Sequence, residues 1–517
     1  MVVRLRAASP SARPTRVPRS LDAERRGALW LAALVAAFAI TRLLYYFAFG
    51  VRFDATGLNT FLQLIDPLLL RTRLAESLWY LRDQPPLFNL FVGIVLKLAP
   101  TAAVGIFHGL YLAMGLALSL CLYRLALELG ATPALAGGVA LAWTLHPGTV
   151  LYENLLLYEY PLALLLVSAA LMLRRYLVGG RRLHAAALCA LLAAAVLMRG
   201  TFHWVWFVTC VAGVLALRVR PRRVLLAATV PLALVGGVYL KHFALYHDLV
   251  FGSVFADYNL AMMTVYELPT AERLRLYQSG ELPQAYGVSM FGTSARDYAD
   301  IIPPSPPAGV PLLDQPIKST GAPNFHHRDL PQIAAELGRG AWRVLRDHPE
   351  TYRSAVEKNV RRYFLPVDQA APIWDPHGEN RQRLAPLLTL VDRACAWQPA
   401  PGRVAWFTIA LIGGALLLTL PSALRGLLAI LRTGDALRAG VNRPELGVVL
   451  FCGFNVLYVA GSTILLSAGD HSRYRFSTMP LVAVLAVVAA RNVAERVTTW
   501  RLRRRATVTP PGQPARV

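Results

Sequence analysis

The sequence predicts an all-α polytopic membrane protein: about ten transmembrane helices, an interfacial helix after the first outward loop, and a large outward-facing loop domain. Three observations carry this. Of 517 residues, 55% are hydrophobic and only 16% charged, where soluble globular chains hold about 25% charge. Apolar runs of bilayer-crossing length recur from about Gly27 onward. Basic clusters lie between those runs, at Arg174-Arg175, Arg181-Arg182, Arg218 to Arg223, Arg425 to Arg443 and Arg501 to Arg505, as cytoplasmic loops require. That placement accounts for the net charge of +23 without nucleic acid as a partner, since no docking module for base reading is present.

The elements follow in order. Met1 to Arg26 is basic and rich in Pro and Ser, and the apolar run after it is too long for a signal-peptide core. The chain therefore starts with a basic cytoplasmic tail (1–27). An N-terminal module of seven spans (28–245) places them near 28–50, 103–127, 134–151, 161–177, 183–198, 202–217 and 223–245. An extracytoplasmic loop domain (246–402) has helical stretches near 331–348, 349–364 and 380–397, with Asp347-His348-Pro349 as a helix boundary. A C-terminal module (403–495) adds three spans near 403–421, 445–467 and 477–491, and a basic tail (496–517) follows. The apolar stretch 86–98 is too short to cross a bilayer. With the basic loops held inside, one span must separate 51–84 from 124–133, so 86–98 lies flat on the outer surface.

Five cysteines (Cys121, Cys189, Cys210, Cys395, Cys452) show neither metal spacing nor a disulfide framework. No N-x-S/T sequon is present, which favours a bacterial plasma membrane.

Most acids and histidines fall in the outward loops, so chemistry is expected there. Asp54 follows the first span directly; a carboxylate at a membrane surface is desolvated and more basic, as a general base must be. Pro85 lies 31 residues further on, in Asp83-Gln84-Pro85-Pro86-Leu87, which starts the flat helix. Glu153 and Glu159 sit between two spans, where acids are expensive and usually functional; six residues apart, they cannot share one face of a regular helix. Arg199 interrupts an apolar run on the outward side, where a guanidinium suits a phosphate. The last outward loop, Gly469-Asp470-His471-Ser472-Arg473-Tyr474, adds two further basic groups. Asn324 and His326 in the long loop are candidate substrate contacts; the adjacent pair His326-His327 does not make a zinc site.

In these residues the chain resembles the GT-C superfamily of membrane glycosyltransferases that use polyprenyl-phosphate-linked sugars, especially bacterial relatives of the protein O-mannosyltransferases and of the lipid A aminoarabinose transferase. The family's acid after the first span is matched by Asp54, its K/Q-P-P-L segment by Gln84-Pro85-Pro86-Leu87, and its Pro-to-acid stretch by Pro147 to Glu159. Its Thr-Arg-Pro-like break is matched by Arg199-Gly200, and its Arg-Tyr-x-x-P motif by Arg473-Tyr474 with Pro480 downstream. Gln84 stands where some relatives have a phosphate-binding Lys, and the second acid is Glu rather than Asp. The resemblance implies inverting transfer to an extracytoplasmic acceptor, an envelope glycan, lipid or protein. Asp54 and Glu159 are the catalytic residues it implies, with Asp54 taking or orienting the acceptor proton. Arg199, Arg473, His471 and Gln84 would bind the donor phosphate, and Glu153, Tyr474, Asn324 and His326 would contact substrate. No cofactor is required, because arginine can supply the positive charge, although a divalent metal is compatible with the pattern.

The rival reading is a transporter or lipid flippase of the cell envelope, which would place ionisable groups at mid-membrane in broken helices; here they fall at span ends. A single cavity uniting Asp54, Glu159, Arg199 and Arg473, open sideways to lipid, is the sharpest expectation. The topology itself is testable by cysteine accessibility. Cysteines replacing Ala308 and Gly180 should label from opposite sides of the membrane, and labelling from one side would overturn the orientation.

Overall fold

The computed structural model describes residues 21–290, 293–366, 378–395, 406–434, 436, 440–469 and 471–508. Asp470 and the basic tails before Leu21 and beyond Val508 lie outside them. Among the described residues there is no strand beyond two isolated bridges, Asp54 with Leu155 and Ile317 with Pro323.

Helix α1 (Leu21–Phe47) leads through a loop with short helical turns to α2 (Pro86–Leu98). The first bundle continues with α3 (Ala103–Glu128), α4 (Pro133–Leu145), α5 (Pro147–Glu153), α6 (Glu159–Gly179), α7 (Arg182–Met198), α8 (Trp204–Ala216) and α9 (Pro221–Tyr246). The long segment that follows holds α10 (Ser253–Met263), α11 (Leu330–Asp347), α12 (Pro349–Tyr363) and α13 (Glu379–Cys395). The chain then adds α14 (Trp406–Thr433), α15 (Arg443–Leu466), the short α16 (His471–Phe476) and α17 (Met479–Val508).

Local chemistry sets these boundaries. Proline opens α2, α4, α5, α9 and α12, where its missing N–H costs nothing and its fixed φ suits the first turn. Gly180, at φ +59°, ends α6 in the left-handed conformation. The expected span at 134–151 is in fact broken: α4 and α5 meet at 59°. Pro147 forces His146 out of the α region, to ψ 123°.

Contacts sort the helix ends into two groups. At one end, the Asp54–Leu155 bridge, the Arg199–Glu159 ion pair, the Tyr246 to Tyr80 bond and the Asn359 to Ser467 bond join the loops after α1, α5, α7, α9, α12 and α15. At the other, Arg175–Glu128, Tyr176 to Val219, Arg223 to Gly180 and Arg491–Glu445 join the remaining turns. Helix α2, with 13 residues, is shorter than a straight span needs. Among the described residues six helices are long and apolar enough to cross a membrane, and seven if the bent pair α4–α5 is one span. Helices α7 and α8, with 17 and 13 residues, are shorter than the ~20 residues a straight span needs.

The long segment has its own core. In α11, Leu330, Ile333, Ala334, Leu337, Ala341 and Val344 are buried at helical spacing and pack with Val254, Tyr258 and Phe325. It is clasped to the bundle by polar contacts. Lys318 Nζ donates to the carbonyls of Phe61 (2.9 Å) and Leu64 (2.7 Å), and Asp66 accepts from the Ser319 backbone at 2.6 Å and from its hydroxyl.

A buried ion pair ties the first bundle together. Arg42 on α1 grips both oxygens of Glu153 at 2.8 Å and donates to the Thr144 carbonyl at 2.7 Å. Tyr160 donates to Glu153 Oε2 at 2.9 Å. Helix α3 approaches so closely that a Cβ on Gly115 would stand 2.1 Å from that oxygen. Removing one partner of such a pair leaves a buried charge, at about 3–5 kcal/mol. Arg42→Ala should therefore lower thermal stability in detergent by that order, whereas Arg42→Met with Glu153→Gln should recover much of the loss. A stable Arg42→Ala protein would show that the pair does not anchor the bundle.

Candidate active site

The residues at the first end meet around the start of α6. After α5 ends at Glu153, residues 154–158 run back across the loop that follows α1. Asp54 N–H donates to Asn154 O at 2.7 Å, and Leu156 N–H donates to Asp54 O at 2.9 Å. The Asp54 carboxylate accepts from Thr56 N–H at 2.7 Å and Thr56 Oγ1 at 2.6 Å, which fixes its first oxygen. Three residues beyond Leu156, Glu159 opens α6.

Glu159 has no exposed surface. Its Oε1 accepts from Arg199 Nη1 at 3.0 Å and lies 3.4 Å from Arg473 Nε. Its Oε2 is buried and has no hydrogen-bond partner among the described residues. Arg199 follows α7 in an extended conformation, and its guanidinium is sandwiched between the rings of Tyr158 (4.5 Å) and Tyr474 (4.1 Å). Each face contributes about 0.5–2 kcal/mol. Arg473 comes from α16 and also lies over Tyr474, at 5.0 Å. Burial opposes ionisation of Tyr474, yet Arg473 and Arg199 hold its phenol below the ordinary value. Two buried guanidinium groups thus face one carboxylate oxygen. Such a site suits an anion.

The other expected contacts sit differently. Glu153 is saturated by Arg42 and Tyr160, so it acts as an internal anchor rather than a substrate contact. Asn324 is also turned inward: its amide donates to the Leu312 and Gln315 carbonyls at 2.7 Å and its oxygen accepts from His326 N–H. His326 is buried, and burial lowers its pKa to about 3 against the opposing pull of a hydrogen bond to the Gln63 backbone. The ring of His471 is buried with Nε2 2.9 Å from Ser467 O, and burial lowers its pKa. Gln84 is buried just before Pro85, whose ring lies 3.9 Å from the position a Cβ on Gly200 would take, beside Arg199. Among the described residues no group of three or more His, Cys, Asp or Glu is arranged to hold a metal ion.

The structure adds residues that the sequence reading did not single out. Tyr158 stacks on Arg199 and donates to Gln63 Oε1 at 2.6 Å. Arg475 is buried and donates to the carbonyls of Tyr363 and Leu365, at the C-terminus of α12, where the helix dipole favours a cation. Arg42 had a visible signal, a lone cation inside an apolar run.

No family model matches the chain, and no curated protein matches it in sequence. Among solved structures it is similar to the oligosaccharyltransferase of Archaeoglobus fulgidus, crystallised with a tethered acceptor peptide containing an NVT sequon. That enzyme is a GT-C glycosyltransferase. The likeness has 14% identity and a TM-score of 0.37, and covers 92% of this chain and 50% of the other. The chain thus spans half the length of that enzyme, and a likeness so loose carries no functional inference.

A further buried acid, Asp83, lies just before Gln84. Asp83 is almost wholly buried, and its Oδ1 has no hydrogen-bond partner. Burial, opposed by Arg82 and reinforced by Asp248, pushes its pKa up from 3.8 to about 7. A carboxyl raised on folding stabilises the fold below its unfolded pKa, and that contribution is lost as pH rises through 7. Asp83→Asn should therefore melt several degrees above the parent at pH 8, with the gap closing toward pH 4. An equal gap at both pH values would show that the carboxyl does not titrate there.

Proposed function

We propose that the protein is an integral-membrane glycosyltransferase of the bacterial cell membrane. It would move a sugar from a polyprenyl-phosphate donor to an extracytoplasmic hydroxyl acceptor, with inversion. The observation that carries this reading is the buried Arg199–Glu159–Arg473 group, in which two guanidinium groups gather on one carboxylate oxygen. A polyprenyl-phosphate sugar needs a cation at the edge of the hydrocarbon for its phosphate, while its tail stays in lipid.

In the proposed reaction, the acceptor oxygen attacks the anomeric carbon as its proton passes to the Asp54 carboxylate. The new carbon–oxygen bond forms on the face opposite the phosphate. The old bond breaks with its electron pair leaving on the phosphate, and Arg199 and Arg473 stabilise the charge that develops there. Phosphate leaves readily, so no general acid is required. Glu159 keeps the two guanidinium groups together while the site is empty and limits how tightly the anionic product is held. Tyr158 and Tyr474 hold the plane of Arg199, and Thr56 aims Asp54.

Membrane vesicles carrying the protein and fed radiolabelled polyprenyl-phosphate mannose and polyprenyl-phosphate arabinose test this. Asp54→Asn should reduce transfer at least 100-fold with the donor KM unchanged. Arg199→Ala should raise the donor KM about tenfold or more, in line with the ~1.5–3 kcal/mol of a hydrogen bond to a charged group. Full activity of Asp54→Asn would sink the assignment. Movement of intact lipid-linked sugar across the vesicle without transfer would favour a flippase instead.

A further inference from the structure

We propose that Asn380 is a positioning residue for Asp54, so that the long segment between the two helical modules completes the base. This rests on Asp54 acting as the base.

The argument starts from the backbone before Asp54. Gly50, at φ +68°, turns the chain out of α1, and residues 51–54 carry it onward to the bridge with Leu155. That bridge is isolated, and the chain shows why. A parallel ladder reaching back from Asp54 to Arg52 would need residues 152–154 to be extended, but α5 keeps the chain helical through Glu153. The N–H and C=O of Arg52 would then have no strand to pair with. Asn380 supplies a substitute peptide: its Oδ1 accepts from Arg52 N–H at 3.1 Å and its Nδ2 donates to Arg52 O at 2.6 Å. One carboxamide thus makes the two bonds a neighbouring strand would make, two residues before Asp54. Arg52 is held by Asn380, and Asp54 by residues 154–156.

Helix α13 does not need Asn380 to stay docked. Leu384 and Leu388 pack with Tyr45, Val51, Val150 and Leu151, and Arg383 donates to Gly50 O at 2.6 Å. Asn380 is itself buried. Its amide therefore fixes where the Asp54 segment lies, while the leucines fix where the helix lies. A displacement of about 1 Å at a reacting group can slow a reaction about 100-fold.

The test compares Asn380→Ala, the isosteric Asn380→Asp, which lacks the donor to Arg52 O, and Asp54→Asn. Vesicles fed radiolabelled polyprenyl-phosphate mannose and polyprenyl-phosphate arabinose report kcat and donor KM separately. Hydrogen exchange over residues 50–56 reports the segment, and detergent melting reports the fold. Asn380→Ala should lower kcat 10- to 100-fold, leave donor KM within twofold and Tm within a few degrees, and speed exchange at Arg52 and Asp54. If the alanine variant does not accumulate, Asn380→Asp carries the same expectations. Unchanged kcat in the folded variant, or kcat and Tm collapsing together in both variants, overturns the positioning role. An inactive Asp54→Asn beside a normal Asn380→Ala defeats only this proposal, whereas an active Asp54→Asn removes the base and the proposal with it.

Discussion

A charged side chain surrounded by hydrocarbon must find its opposite, and much of this architecture follows from that demand. An isolated ion near the bilayer interior costs about 2.5–3.5 kcal/mol or more. Arg42 on α1 and Glu153 at the end of α5 answer each other, and their neighbours conform. Helix α3 can only approach because position 115 is glycine. Thr144, on α4, turns its carbonyl to the same guanidinium. The break between α4 and α5 shortens the path between spans, so that the chain leaves Glu153 and reaches the start of α6 within five residues. Those residues are the ones that pair with the backbone of Asp54.

Two glutamates six residues apart, both without exposed surface, are resolved in opposite ways. Glu153 meets one arginine with both oxygens, takes a further bond from Tyr160, and is electrically closed. Glu159 meets two arginines with one oxygen, and its second oxygen has no hydrogen-bond partner among the described residues. Composition and depth are the same; the count of opposing charges differs. The first arrangement stabilises a fold and offers nothing to a ligand. The second leaves hydrogen-bonding capacity unused on Oε2, which a fold alone has no reason to keep.

Local signals were legible in the sequence, and long-range partners were not. Proline positions gave the start of α2 and the boundary at His348 before α12, because a missing N–H and a restricted preceding residue act within a few positions. The acids at 153 and 159 and the cation at 199 stood out because apolar runs make any ion conspicuous. Which acid was saturated could not be read, since Arg42 lies 111 residues from Glu153. The same holds for Asn380, 328 residues from Arg52. The inward turn of Asn324 and His326 was hidden for a related reason. A polar loop suggests a surface for ligands, but this loop folds inward and spends its amide on its own carbonyls. The break at Pro147 was written in the sequence, yet hydropathy alone merged α4 and α5 into one run.

The long segment between the modules is bound to the site by polar contacts as well as by the packing of Leu312, Leu313, Leu384 and Leu388 against the bundle. Lys318 and Ser319 hold the loop at 61–66, which carries Gln63, the partner of Tyr158. Arg475, two residues from Arg473, reaches across to the end of α12. Tyr158 and Arg473 thus each owe their position to the segment as well as to the bundle. Hydrogen bonds of this kind are strongest where water is excluded, and they hold one geometry where apolar packing would tolerate sliding. A site that keeps two like charges within reach of one acid needs that rigidity. Without it the arginines would swing apart toward water.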